Sequence, residues 1–364
     1  MNISVMVTYF KYLLLAGAMC AFASCQREDL PSEQEGKAIE LSATSDWPKF
    51  SKAPITGLND LKGDGFVVWG CWEKESAVFA QYGTKVSAVA NASGNVDSWE
   101  YSPVRYWFSG HYMFAALLPA NVIALSAGGS GILAEREGSI SVSNGGTTYT
   151  NSLRLKRALA LGGKTASATE LAASDQPDLM YAFSNVDNSE HTDAAVNLNF
   201  KHLWAQLGFK LTYYDIKKES ITINKVKVYG LGNTLAANTV ITDNESTNIS
   251  SIRTALASAA KSTADAPFAT FNLSVTANRG VEVTLVDKLM VFPVNLSDMP
   301  VTVEISFKYG NNDMTMKGTI NAGEWVSGKR YVYPLEVGAN SINFGEPTVT
   351  QWVTAPSIKE DIVK

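Results

Sequence analysis

Histidine and cysteine are almost missing: the 364 residues include three of each. Cys20 and Cys25 both fall in an N-terminal apolar stretch, so Cys71 stands alone in the body of the chain, and one cysteine cannot close an internal disulfide. With His111, His191 and His202 as the only imidazoles, a Cys/His zinc cluster is excluded. Cys71 lies in Val67-Val68-Trp69-Gly70-Cys71-Trp72 and reads as a small buried hydrophobe; a nucleophilic thiol would need a neighbour that lowers its pKa. Charge is also scarce. Only 18% of residues are charged, and the net charge of -5 supplies no basic face for nucleic acid. After the N-terminal stretch, no apolar run approaches the length of a membrane span.

Motifs that carry chemistry are missing as well. Gly163-Lys164-Thr165 has Ala158 where a phosphate-binding loop needs glycine, so backbone amides cannot wrap a phosphate there. Ser130 has Gly128 two residues before it but Ile132 two residues after, which breaks the nucleophile-elbow pattern. Asp243-Asn244-Glu245, with Ser246 and Asn248, lacks the glycine and closing glutamate of a calcium loop and reads as a solvated loop. His202, beside Trp204, reads as a structural histidine. Glu135 and Glu137 are not set across a cleft as a glycosidase requires. No enzyme activity, metal or cofactor is expected.

What remains is apolar material arranged in strands. Hydrophobic residues make up 46%, enough for real cores, and the length suits two domains. Residues 1–25 carry Lys11, the apolar run Tyr12 to Met19, and small residues before Cys25: a secretory signal. Phe22-Ala23-Ser24-Cys25 resembles a lipobox, with cleavage between Ser24 and Cys25 and lipid on the Cys25 thiol; Cys20, preceded by the bulky Met19, is the rival. A doubly acylated cysteine would hold the protein on a membrane without a transmembrane helix. Arg27-Glu28-Asp29 resembles the charged surface-export signal of such lipoproteins and reads equally well as a solvated linker.

Beyond a polar tether, Gly65 to Trp72 is aromatic and β-branched, and residues 112–118 are apolar on both sides, as in a strand buried on both faces. Val196, Leu198 and Phe200 alternate with polar residues; Leu207, Phe209, Leu211 and Tyr213 do so in the opposite phase. A period-2 strand cannot change faces unbroken, so a break, taken as a domain boundary, is placed near residue 203. Further strands read at residues 221–229, 281–285, 301–307, 314–320 and 331–337, and one helix at 250–262 capped by Ser250 or Ser251. Thr348 to Thr354 alternates again and reads first as a last strand of its own domain.

Four stretches together resemble the fimbrillin-like family of outer-membrane lipoprotein fimbrial subunits. They are Ser51-Lys52-Ala53; Tyr101 to Trp107 leading to Tyr112-Met113-Phe114-Ala115-Ala116 and Pro119; Leu198-Asn199-Phe200-Lys201-His202-Leu203 with Ala205 to Leu211; and Gly328-Lys329-Arg330-Tyr331-Val332-Tyr333-Pro334-Leu335 with Phe344 and Trp352. The resemblance implies an all-β fold of two tandem transthyretin-like, Greek-key-type β-sandwich domains with one short helix inserted. The expected division is 1–24 signal peptide, 25–38 lipidated tether, 39–203 N-terminal domain and 204–364 C-terminal domain.

It also implies a structural and adhesive subunit, at an anchor, tip or accessory position, assembled by β-strand addition. Expected partners are other fimbrial subunits, the outer membrane through the lipid, and a ligand on a host or bacterial surface, with no nucleic acid. In family stalk subunits an arginine-specific protease removes the N-terminal strand. Here Arg27 is the only arginine before Arg105, and Lys49 and Lys52 stand where maturation would fall. The alternative is a carbohydrate-binding lipoprotein of a polysaccharide-uptake system, which would present exposed tryptophans.

Overall fold

The computed structural model describes residues 36–45, 65–75, 77–93, 96–161, 178–215, 217, 219–338 and 342–351. Ser24, Cys25, Arg27, Glu28, Asp29, Lys49, Lys52 and Trp352 lie outside the described residues. The described residues from Ala38 onward form one compact unit, nearly all β.

Its first strands are β1 (Leu41–Ser45), β2 (Phe66–Trp72), β3 (Thr84–Ala90), β4 (Val96–Tyr101), β5 (His111–Leu118), β6 (Ala134–Ser143), β7 (Gly146–Leu155), β8 (Leu159–Ala160), β9 (Met180–Asp187) and β10 (Val196–His202). Seven of them form one sheet in the order β1-β10-β9-β5-β2-β3-β4. At its centre, β5 pairs β2 on one side and β9 on the other, both antiparallel. Its two-sided apolar character has a direct cause. Tyr112, Phe114, Ala116 and Leu118 enter one core with Phe66, Val68 and Phe200, while Ala115 and Leu117 enter a second core with Val67 and Trp69. Cys71 is buried on β2, and burial pushes its thiol pKa up, as suits a packing residue.

The chain then forms β11 (Ala205–Tyr213), β12 (Ser220–Tyr229), β13 (Thr234–Leu235), β14 (Val240–Thr242), helix α1 (Glu245–Ala257), β15 (Ala269–Asn278), β16 (Glu282–Val291), β17 (Val301–Tyr309), β18 (Asn312–Ile320), β19 (Lys329–Val337), β20 (Ile342–Phe344) and β21 (Thr348–Gln351). Two sheets, β16-β11-β19-β20 and β15-β12-β17-β18, share the second core: Leu207, Phe209 and Leu335 from the first meet Ile223, Val226 and Ile305 from the second. A three-stranded sheet, β14-β7-β6, adds Leu153, Leu155 and Ile241 to the same core. The break expected near residue 203 falls between β10, ending at His202, and β11, starting at Ala205. Val196, Leu198 and Phe200 belong to the first core, and Leu207, Phe209 and Leu211 to the second, which is why the phase reverses.

The helix differs from its expected place. It begins at Glu245, because the Asn244 side chain accepts the Thr247 amide at 3.0 Å, a stronger cap than Ser250 in mid-pattern. Its buried face is Asn248, Ile252 and Leu256, and it ends at Ala257, short of the expected 262. Asp243, weighed above as a calcium-loop residue, instead pairs with Lys201 at 2.9 Å.

Candidate functional site

The two ends of the seven-stranded sheet are β1 and β4, and the sheet curls until they face each other across a groove of about 670 Å³. From Ile39 into β1 the alternation is strict. Ile39, Leu41 and Ala43 are buried, whereas Glu40 is exposed and Ser42 half-buried. This alternation is short and follows a polar tether, so the sequence reading, which starts its first core strand at Gly65, passes over it.

β1 runs parallel to β10, with Leu41 opposite Val196 and Ser45 opposite Phe200. Ser42 Oγ donates to Asn197 Oδ1, and the Val196 amide donates to the Glu40 carbonyl at 2.8 Å. Parallel neighbours cannot be joined by a tight turn, and β1 reaches its partner only across most of the sheet's own sequence. It is therefore an edge strand held by docking rather than by a hairpin. Trp99 and Tyr101 of β4 line the groove, and the core beneath it is aromatic: Phe66 lies 4.9 Å from Trp99 and 5.4 Å from Phe200, ring centre to ring centre. At one end the groove is pinned shut. The Ile39 amide donates to the Arg105 carbonyl at 2.8 Å, and Tyr101 Oη donates to the Ile39 carbonyl at 2.7 Å. Burial raises the Tyr101 pKa, so its phenol keeps the proton it donates.

The other end of the chain carries a second loosely attached strand. β21 pairs antiparallel with β19, Val349 opposite Tyr331, as expected of a last strand of its own domain. All four of its residues are exposed, Val349 by 52%. Main-chain hydrogen bonds, not side-chain burial, are what hold it.

His202 is buried and its Nδ1 lies 2.9 Å from Asp178 Oδ1, a structural pairing at the end of β10. A second histidine site escapes sequence reading altogether. His111 Nδ1 lies 2.6 Å from Glu73 Oε2, and its Nε2 lies 2.9 Å from Thr147 Oγ1 and 3.7 Å from Asp187 Oδ1. These residues stand far apart in sequence, and the cluster clamps the tip of the β6–β7 hairpin to the large sheet. Asp187 is held below the usual carboxylate range, first by the Ser189 hydroxyl and then by the Ser189 amide. Among the described residues no group of His, Cys, Asp and Glu has the geometry to hold a metal ion. No described tryptophan is exposed: Trp69, Trp107, Trp204 and Trp325 are buried, and Trp72 and Trp99 half-buried.

The fimbrillin-like family profile matches residues 59–352. Among solved structures, the chain is similar to a fimbrial protein from Bacteroides vulgatus, with 15% identity over 86% of this chain and 99% of that one, at a TM-score of 0.47. A fimbrial assembly protein from Parabacteroides distasonis has 12% identity over 86% of this chain and 98% of that one, at a TM-score of 0.38. No curated protein matches the chain.

Proposed function

The chain belongs to the fimbrillin-like family, and from that premise we propose that it is a fimbrial subunit assembled by strand exchange, anchored to the outer membrane through lipid on Cys25. The observation that carries the reading is β1: a parallel edge strand, docked rather than hairpinned, whose departure would uncover the pockets of Ile39, Leu41 and Ala43 along β10. An extended segment from another subunit could then pair with β10 and fill those pockets with alternate side chains. The exposed β21 is such a segment, since main-chain bonds rather than side-chain burial attach it.

The role is structural rather than catalytic. Residues 39–203 and 204–364 are read as its two sandwich halves. Between Arg27 and the first central strand there is no arginine, and the basic residues at the expected maturation point are Lys49 and Lys52. A protease specific for arginine would leave β1 and its lipid in place, which favours an anchor or accessory position over a stalk unit. Arg27-Glu28-Asp29 would direct the lipoprotein to the cell surface. The carbohydrate-binding alternative has no exposed tryptophan pair among the described residues to support it.

Intact mass of the protein extracted from its native outer membrane tests this. A species starting at acylated Cys25 supports the anchor or accessory position. One starting after Lys49 or Lys52 means β1 is removed and the subunit polymerises. An unprocessed chain starting at Met1 overturns the lipoprotein reading.

A further inference from the structure

The β6–β7 hairpin leaves one long edge unused. β6 has 10 residues and ends the order β14-β7-β6, so among the described residues no strand pairs with its outer side. Free edges in soluble proteins are usually blunted by charge, proline or a bulge. The first half of β6 follows that rule. Gln81 Nε2 donates to Glu135 Oε1 at 3.0 Å, and the Arg136 guanidinium reaches the carbonyls of Glu137 and Gly138 at 3.4 and 3.5 Å. Gly138 then marks a change. Its φ is +115°, and a Cβ there would lie 1.7 Å from the Thr150 carbonyl oxygen, so no other residue fits.

Beyond it runs Ser139-Ile140-Ser141-Val142-Ser143, without charge or proline. Val142 is 57% exposed, and with Ile140 it overhangs a groove of about 410 Å³ whose far side carries Glu73, Lys74 and His111. β15 is also an uncharged edge strand, but its Phe271, Leu273 and Val275 pack on the core, so it has no spare apolar side chain. β6 does.

We propose that the Ser139–Ser143 edge of β6 is a self-association surface, pairing antiparallel with the same segment of a second copy of this chain about a two-fold axis through Ser141. In that register Ser141 faces itself, Ser139 faces Ser143, and Ile140 faces Val142. Both apolar residues therefore gain an apolar partner on one face, and hydroxyls meet hydroxyls on the other. The charged residues Glu135, Arg136 and Glu137 fall beyond the paired segment, alongside the other copy's uncharged turn at Asn144 and Gly145, so no like charges oppose. A second copy is the occupant because the five-residue segment, itself uncharged, is complementary to itself in this register. The interface is short, so the association is weak.

Disulfide trapping in the full-length, detergent-extracted protein tests the register, with wild type, whose Cys71 is buried, as the blank. Ser141→Cys cross-links to itself under mild oxidation; Ser139→Cys alone does not, but does so when mixed with Ser143→Cys. Ser141→Lys, which sets two ammonium groups opposite each other, weakens the self-association seen by sedimentation roughly five-fold with an unchanged melting temperature. Equal cross-linking at 139, 141 and 143, or a monomer at every concentration up to about 1 mM, overturns the proposal. So does an association that Ser141→Lys leaves intact.

Discussion

Cutting the chain between β1 and β2, at a single engineered protease site across residues 49–52, should release β1. The balance can be worked from its contacts. Burying Ile39 and Leu41 contributes about 2–3 kcal/mol each, and Ala43 about 0.8 kcal/mol, giving roughly 6 kcal/mol in all. Main-chain bonds to β10 along the register from Leu41 to Ser45 add about 4 kcal/mol at roughly 1 kcal/mol each. Against this, ordering residues 39–45 costs about 10 kcal/mol at roughly 1.5 kcal/mol per residue. The two sides nearly cancel. The intact chain holds β1 without the cost of bringing two molecules together, and cleavage imposes that cost on the separate fragment. After cleavage at micromolar protein, gel filtration should separate the N-terminal fragment, and amides of Val196 to Phe200 should lose their protection against hydrogen exchange. Co-elution of the fragment at nanomolar protein would mean that docking contributes about 12 kcal/mol beyond the ordering cost. That result would refute the balance and the proposal that β1 is exchangeable.

Other outcomes follow from single contacts. The indole of Trp325 is buried and donates to Tyr333 Oη at 2.9 Å; Tyr333→Phe strands that donor and should cost about 1–3 kcal/mol in a thermal or denaturant melt, and an unchanged midpoint would argue against the bond. The Asp215 carboxylate is held below its usual range, first by the Lys217 amide at 2.9 Å and then by the Tyr309 hydroxyl at 2.8 Å. Its stabilising contribution is complete above the ordinary carboxylate pKa and lost as pH falls through the depressed folded value. Asp215→Asn should therefore lose less stability than wild type between about pH 5 and pH 2, and parallel acid-unfolding curves would contradict this. Burial pushes Tyr112, Tyr181 and Tyr213 up to about 12. Neutral burial of these phenols stabilises the fold below about pH 10 and is lost as pH rises towards their folded values. Phenolate absorbance should rise in two phases, and Tyr112→Phe should shrink the later one.

Much of the strand plan is local and can be read from residue order. The two-sided apolar run at 112–118 marks a strand between two cores, and the phase reversal around Leu203 and Trp204 marks where the chain leaves one core for the other. Both follow from side chains alternating across a strand, a property of the backbone itself. Which strands become neighbours is not local. Nothing near Leu41 names Val196 as its parallel partner, and the curl that brings β4 to face β1 is a property of the whole sheet. The Glu73–His111–Thr147 cluster comes from separate strands and loops, so no spacing announces it. The helix start is set by the Asn244 cap, upstream of the serines read from the sequence, and buried Asn248 ties that first turn to Thr242: its Oδ1 accepts the Thr242 amide at 2.6 Å, and its Nδ2 donates to the Thr242 carbonyl at 2.7 Å. Periodicity determines which face of an element is apolar. Only the packed sheets decide what that face meets, which edges remain unpaired, and therefore where another chain can add.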